Sequence, residues 1–240
     1  MAGEERGSCL EESCGGPTRV AITLTHVQYP QGDLLGMVLA WFSLLPIFIL
    51  IGFTTLILFR RDLHTIFFCL GVVLNEGCNF LLKHIIKEPR PNSTSYDGDL
   101  FVKYGMPSSH AQFMAFFATY FTVFLFARVK LSVGSYDYAY KGVTAGVAIM
   151  GMLCCCISRL YLGYHSVAQV LVGVGGGCLA AALWFLLVHF VLSPYFPHIF
   201  AWKVSEWLLI KDMSCVPNIL WFEYTSLRQE TRKRMRFKSQ

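Results

Sequence analysis

The chain has 240 residues, of which 55% are hydrophobic and 15% are charged, and its formal net charge is +5. A soluble domain of this length usually carries about a quarter charged residues, so the composition excludes an ordinary soluble enzyme and favours an integral membrane protein of one domain. The modest positive charge is concentrated locally, which argues against nucleic acid as a partner. Most of the nine cysteines lie inside apolar segments, where cysteine acts as a small hydrophobe.

The order of polar and apolar stretches predicts three regions. Residues 1–33 are polar and predict a largely irregular N-terminal segment, with some order near Val20–Tyr29. Residues 34–192 predict an all-α bundle of about five membrane spans, because about 20 apolar residues cross a bilayer of about 30 Å. Residues 193–240 predict an interfacial helix followed by a basic tail. The expected spans are 34–59 (with Pro46 as a possible kink), 63–86, 107–129, 142–157 and 167–192.

The basic residues predict how the spans are oriented. With five spans, the Arg60–Arg61 link, the 128–141 link and the basic tail at 225–240 fall on one side of the membrane. The positive-inside rule makes that side cytosolic. The N-terminal segment and the two loops that carry the polar motifs described next fall together on the opposite side. Chemistry on the luminal or external face is the expected consequence.

Three polar stretches lie where an apolar run meets water: 83–91 (KHIIKEPRP), 106–110 (MPSSH) and 158–169 (SRLYLGYHSVAQ). A phosphate that leaves bulk water needs several donors, and lysine and arginine supply them, arginine as a bidentate fork. A single basic residue at a helix end is most often a membrane-surface anchor, but together these suit phosphate ester or anhydride chemistry. The cations are Lys83, Arg90 and Arg159.

The start of the third span is a second source of phosphate donors. Pro107 is expected to occupy the first helical turn, which tolerates proline. The backbone N–H groups of Ser108 and Ser109 are then expected to be free, at the positive end of the helix dipole.

Two histidines are expected to divide the proton transfers. Neutral His165 can attack phosphorus through one ring nitrogen if an acceptor holds the other N–H, and Gln169, four residues on, can provide that acceptor. His110 can donate a proton to the leaving oxygen and then activate water to cleave the phosphohistidine. The guanidinium and ammonium groups do the electrostatic work, so no metal or other cofactor is expected.

Further polar residues are expected to support this site from outside. Glu76 and Asn79 share a helical face with Lys83 in the second span, and a carboxyl at that depth should face the bundle interior. They are interpreted as partly packing and partly positioning residues. Gln169 is neutral and cannot stabilise an imidazolium as a carboxylate would. Either the reaction is slower than it would be with a carboxylate at position 169, or Glu76, Asp97 or Asp99 supplies the negative charge that stabilises the imidazolium.

The three stretches together resemble the three-part signature of the type-2 phosphatidic acid phosphatase superfamily. That superfamily includes lipid phosphatases, glucose-6-phosphatase and vanadium haloperoxidases. Two positions depart from the pattern: Ser109 replaces the usual glycine before the motif's histidine, and Gln169 replaces the usual acid. The resemblance implies a helical bundle, a phosphohistidine on His165, acid–base work by His110, and phosphate ligation by Lys83, Arg90, Arg159 and the Ser108–Ser109 segment.

Other stretches resemble the members of that superfamily that act on dolichyl diphosphate: THVQYPQGD, LNEG, KYGMPSSH, WKVSEWLLIKD and PNILWFEYT. This resemblance implies release of the terminal phosphate from that polyprenyl lipid on the luminal side of the endoplasmic reticulum membrane. The step would recycle the lipid carrier of N-glycosylation. Two rivals remain: the same chemistry on phosphatidate or a sphingoid-base phosphate, and a silent membrane protein that binds lipid phosphates. The sequence does not indicate protein partners.

Overall fold

The computed structural model describes residues 19–22, 27–91, 104–129, 135–212 and 218–238. Five helical segments are long and apolar enough to cross a membrane, namely Leu34–Arg60, Leu63–Ile86, Ser109–Arg128, Tyr136–Tyr161 and Val167–Phe200. They lie close to the five predicted spans, so the predicted all-helical membrane bundle is confirmed. The helices are α1 Leu34–Phe42, α2 Leu45–Arg60, α3 Leu63–Ile86, α4 Ser109–Arg128, α5 Ser135–Tyr161, α6 Val167–Leu186, α7 Phe196–Phe200, α8 Lys203–Trp207 and α9 Ile219–Lys238.

The first span is interrupted between α1 and α2. Pro46 lies in the first turn of α2 and has no N–H to donate to the carbonyl four residues earlier, so the helix cannot run through this point unbroken. The interruption lies where the sequence predicted a kink. It leaves Ser43 buried, with its Oγ 2.8 Å from the Oγ of Ser158 on α5. The break therefore presents a hydroxyl to the interior of the bundle.

Helix α4 lies at the centre of the bundle and packs most extensively against α6, with further contacts to α3 and α5. Two glycines allow the approach of α6. A Cβ added at Gly173 would stand 2.8 Å from the carbonyl oxygen of Ser108, and one added at Gly177 would collide with the carbonyl oxygen of Gln112. The small residues of α6 therefore allow close helix contact here. Aromatic rings fill the core beside them, with Phe68 stacked on Tyr120 at 4.3 Å.

The structure adds detail to the prediction at both ends of the chain. Residues Arg19–Ile22 (β1) and Val27–Pro30 (β2) form an antiparallel hairpin, which overlaps the Val20–Tyr29 stretch where order was expected. The predicted basic tail at 225–240 is helical as far as Lys238, within α9. Its exposed face carries the ion pair Arg234–Glu230 at 2.9 Å, one turn apart.

The 128–141 link is also shorter than predicted, because α5 begins at Ser135. The added helical turns are polar in sequence, so the pattern of apolar runs did not indicate them. Asp137 and Lys141 lie one turn apart and form a buried ion pair of 2.8 Å. Pairing satisfies both charges within the helix.

The basic links meet the C-terminal segment at the bundle end opposite the polar motifs. Arg60 pairs with Glu223 at 3.1 Å, and Arg61 Nη1 donates to the carbonyl oxygen of Leu208 at 3.2 Å. At the same end, Arg128 donates to the hydroxyl of Ser193. The grouping of basic links at one end matches the arrangement predicted from charge.

The contact between α4 and α6 predicts unequal responses to two similar substitutions. Gly177→Ala inserts a methyl group against the backbone of α4, so we expect the free energy of unfolding to fall by about 1–3 kcal/mol. Gly175 has open space around it, and Gly175→Ala should leave stability within about 0.5 kcal/mol. Thermal unfolding of both variants in detergent measures the difference. Equal midpoints would contradict the proposed packing.

Candidate active site

The predicted site residues converge at one end of the bundle. Lys83 lies near the end of α3, His110 in the first turn of α4 and Arg159 in the last turns of α5, while His165 immediately precedes α6. Charges on Lys83, Arg159 and Arg90, which follows α3, act on both imidazoles. Three spans and two loops therefore bring two histidines and three cations into one electrostatic neighbourhood.

Lys83 is only 2% exposed and is held above a column of amides. Its Nζ donates to the hydroxyl of Ser109 at 3.4 Å. One turn deeper, Asn79 Nδ2 donates to Gln112 Oε1 at 2.7 Å, and Gln112 Nε2 donates to Asn75 Oδ1 at 3.0 Å. The amides therefore link α3 to α4 and fix the position of the Lys83 ammonium relative to the start of α4.

Asn79 and Glu76, which were predicted to be partly packing and partly positioning residues on the Lys83 face of the helix, differ in what they contact. The Asn79 amide bonds to α4 and lies 3.5 Å from the carbonyl oxygen of Pro107, so it supports the segment that enters α4. Glu76 is partly buried, and its Oε1 has no hydrogen-bond partner among the described residues. Its charge acts on Lys83, which makes Glu76 an electrostatic neighbour of the ammonium and not a bonded one.

Arg159 is held on two sides. Its Nη1 donates to the hydroxyl of Ser43 at 3.3 Å, in the break between α1 and α2. Its guanidinium carbon lies 4.1 Å from the ring centroid of Tyr164, and the hydroxyl of Tyr164 accepts a hydrogen bond of 2.8 Å from the N–H of Gln28 in β2. Arg159 Nε is buried without a partner among the described residues. The plane of the guanidinium is therefore fixed while a donor remains for an anion.

His165 and Gln169 make the contact expected from their spacing. His165 Nδ1 lies 3.1 Å from Gln169 Oε1, and the same oxygen accepts from the N–H of Ser166 at 3.3 Å. Ser166 in turn accepts from the N–H of Gln169, which completes a capping box at the start of α6. The cap therefore fixes the rotamer of Gln169, and the Nδ1 edge of the imidazole faces that amide.

The surroundings of His165 keep its imidazole neutral. Burial, together with the nearby charges of Arg159 and Arg90, lowers its pKa from 6.5 to about 3, against an opposite effect of the Gln169 hydrogen bond. The residue is buried, at 4% exposure. At neutral pH the ring therefore has a lone pair available for attack.

The start of α4 differs from the prediction. Ser108 is the N-cap and Pro107 precedes it, so proline is not in the first turn. The N–H of Ser108 donates to the carbonyl oxygen of Gln169 at 3.1 Å, and the expectation that it is free for phosphate is therefore wrong. The hydroxyl of Ser108 is buried without a partner among the described residues. Asp97 and Asp99, two suggested sources of negative charge, lie outside the described residues.

Sequence reasoning missed four residues that shape the site: Ser43, Glu88, Gln112 and Tyr164. Ser43 was visible as a lone hydroxyl near a proline in an apolar span, and Tyr164 as the neighbour of His165. Glu88 lies inside the KEPRP stretch and accepts a hydrogen bond of 2.9 Å from Gln169 Nε2. Within the described ranges, no group of three or more His, Cys, Asp or Glu side chains could hold a metal ion.

The fold and this arrangement define a helical membrane protein with a buried, cation-lined histidine site. The family model "PAP2 superfamily" matches residues 64–192, and the chain belongs to that superfamily. It is 48% identical over 217 residues to "Dolichyldiphosphatase 1" of Homo sapiens, covering 90% of this chain and 91% of that protein. It is 41% identical over 210 residues to "Lipid phosphate phosphatase gamma" of Arabidopsis thaliana, covering 87% and 91%.

A solved structure shares the fold. The transmembrane PAP2-type phosphatidylglycerolphosphate phosphatase of Bacillus subtilis aligns with a TM-score of 0.54 at 20% identity. The alignment covers 67% of this chain and 80% of that one. At this identity the likeness concerns the fold alone.

The environment of His165 predicts an unusual titration. We expect its ring ¹⁵N shifts to stay those of a neutral imidazole from pH 8 down to about 5, because burial and cations depress its pKa. Arg159→Met should raise that pKa, since it removes one of the depressing charges. NMR of the ¹⁵N-histidine-labelled protein, with His165→Ala to assign the signal, tests both. A wild-type midpoint near 6.5 would contradict the burial described here.

The same depressed pKa sets a direction for stability. The unfolded chain binds the proton more readily than the folded one, so His165 lowers stability progressively as the pH falls from 6.5 towards about 3.

Proposed function

We propose that the protein hydrolyses the terminal phosphate of dolichyl diphosphate through a phosphohistidine on His165, giving dolichyl monophosphate and phosphate. The observation that carries this proposal is the 3.1 Å contact of His165 Nδ1 with Gln169 Oε1, which leaves Nε2 of a neutral ring among three cations. Membership of the superfamily and the dolichyldiphosphatase relatives that match nine tenths of the chain support it.

Phosphate binding is assigned to Lys83, Arg90 and Arg159, with the hydroxyls of Ser108 and Ser109. Burying cations out of water is costly, and an anionic head group offsets their mutual repulsion. As phosphorus gains a fifth ligand, charge grows on its equatorial oxygens, and donors already held in place stabilise it without rearranging. The contacts of Arg159 with Ser43 and Tyr164 supply that rigidity.

The reaction proceeds in two displacements. The lone pair of His165 Nε2 forms a bond to the terminal phosphorus while the bond to the bridging oxygen breaks, and its electron pair leaves on dolichyl monophosphate. His110 donates a proton to that oxygen. Neutral His110 then takes a proton from water as the water oxygen attacks phosphorus. The P–N bond breaks, its electron pair returns to Nε2, and inorganic phosphate is released.

The charge distribution and the relatives' name support a placement in the cell. We place the chain in the endoplasmic reticulum membrane, with residues 1–33 and the active site on the luminal side. The catalytic bundle comprises residues 34–192. The C-terminal segment, 193–240, meets the Arg60–Arg61 link at the other end of the bundle and is assigned to the cytosolic side. In this position the enzyme would recycle the lipid carrier of N-glycosylation.

A second candidate is the same chemistry on another lipid phosphate, such as phosphatidate or a sphingoid-base phosphate. The observation in its favour is the 41% identity to a relative named lipid phosphate phosphatase gamma. The cation site would accept any phosphate monoester or diphosphate head group. The two candidate functions are therefore distinguished by which lipid substrate the protein prefers.

Substitution of the histidines tests the chemistry. His165→Ala should abolish phosphate release and ³²P labelling of the protein, and His110→Ala should slow turnover about 10²–10⁴-fold because it removes the proton donor. His84→Ala is the matched control, since the imidazole of this histidine bonds to the carbonyl oxygen of Phe80 in its own helix. Phosphate release by His165→Ala at the wild-type rate would refute the covalent mechanism and favour a non-catalytic lipid-binding role for this site.

A substrate panel separates the two candidates. Purified protein should show a higher kcat/KM for dolichyl diphosphate than for dolichyl monophosphate, phosphatidate or sphingoid-base phosphates. Preference for phosphatidate would support the second candidate. Activity should also survive EDTA, because lysine and arginine provide the charge stabilisation; loss on chelation with rescue by Mg²⁺ would contradict this assignment.

A further inference from the structure

The carboxylate of Glu88 lies directly behind the amide that holds His165. Glu88 Oε1 accepts a hydrogen bond of 2.9 Å from Gln169 Nε2, and the carbonyl oxygen of Pro89 accepts another of 2.9 Å from the same nitrogen. Gln169 Oε1 faces the other way, towards His165 Nδ1. Glu88, Gln169 and His165 therefore form a continuous chain of hydrogen bonds from a carboxylate to an imidazole.

The acceptors at the Glu88 end of this series of hydrogen bonds determine which way the Gln169 amide is oriented. An ionised carboxylate and a carbonyl accept hydrogen bonds but do not donate them, so the edge of Gln169 facing Glu88 and Pro89 is its NH₂ group. The amide oxygen consequently faces His165, and Nδ1 of that ring carries the proton. The acceptors at residues 88 and 89 thus determine, two bonds away, that the lone pair lies on Nε2.

We propose that Glu88 is the positioning residue that supplies, through Gln169, the negative charge that the amide lacks. When Nε2 bonds to phosphorus while Nδ1 keeps its proton, the ring becomes cationic. A carboxylate at the far end of a polarised amide stabilises that cation. Glu88 acts through His165, so its role rests on the proposed function of that histidine as the nucleophile.

A second loop holds the same amide in place. The N–H of Gly105 donates to the carbonyl oxygen of Glu88 at 2.8 Å. A Cβ at Gly105 would stand 2.5 Å from Gln169 Oε1 and 2.7 Å from its Nε2, so only glycine lets the chain pass this close. The segments at residues 88–89 and 104–105 therefore enclose the amide between them. All four hydrogen bonds of the Gln169 side chain are satisfied there.

Replacement of the Glu88 carboxylate by an amide tests the role of Glu88. Glu88→Gln keeps an oxygen that can accept from Gln169 but removes the charge, so kcat should fall about 10- to 100-fold. KM should stay within about twofold, because Lys83, Arg90 and Arg159 are unchanged. Glu206→Gln removes a carboxylate from α8, away from the site, and should leave both parameters at the wild-type values.

Gln169→Glu places two carboxylates against each other, which should suppress activity at neutral pH and shift the optimum to lower pH, where they share a proton. In the double variant Glu88→Gln/Gln169→Glu, the carboxylate bonds His165 directly and the amide stands behind it. The double variant should have a higher kcat than Gln169→Glu at neutral pH and lose the acid shift. The charges acting on His165, from Lys83, Arg90 and Arg159, are the same in every variant.

Each outcome decides one question. Wild-type kcat in folded Glu88→Gln, or a wild-type optimum in Gln169→Glu, overturns the role of Glu88 even if His165→Ala is inactive. If Glu88→Gln does not fold, the pH profiles of Gln169→Glu and the double variant still decide, since a merely structural role would not produce an acid shift that the second substitution removes. Turnover by His165→Ala would instead overturn the proposed function itself.

Discussion

The site depends on keeping cationic side chains out of water at the end of an apolar bundle. Lys83 and Arg159 are 2% and 5% exposed, and charges in such surroundings are stable only when donors and nearby dipoles are satisfied. For Arg159 the structure meets this demand with neutral partners, the hydroxyl of Ser43 and the ring of Tyr164. These partners fix the position of the guanidinium without cancelling its charge, so that charge remains available to a phosphate.

The same principle governs His165, the proposed nucleophile. His165 is neutral because it lies among cations in a buried setting, and a neutral amide holds it in one tautomer. A carboxylate in direct contact would favour the protonated ring before substrate binds. In the proposed mechanism, the carboxylate of Glu88, one amide further away, leaves the resting ring neutral and provides negative charge as the ring becomes cationic. Glu88 would thus supply the charge for which the superfamily pattern has an acid at position 169.

Local features of the site were predictable from sequence, and distant ones were not. The contact of His165 with Gln169 follows from a spacing of four residues at a helix start, and the grouping of the motifs at one bundle end follows from charge and span count. Ser43 and Glu88 were missed because their roles depend on partners 116 and 81 positions away in the chain. The start of α5 was missed because Asp137 and Lys141 pair with each other in a polar helix. The hairpin β1–β2 was expected only as an ordered stretch near Val20–Tyr29, because nothing in the sequence fixes the pairing of its two strands.

Gly105 gives a different view of which positions matter to this protein. It has no side chain, binds no phosphate and transfers no proton, yet the Gln169 amide occupies the space that any other residue there would need. A missense variant at this codon would therefore displace the Gln169 amide that holds His165, while leaving every reactive group intact. The effect of a substitution at Gly105 should accordingly be judged by how far the new side chain displaces the Gln169 amide.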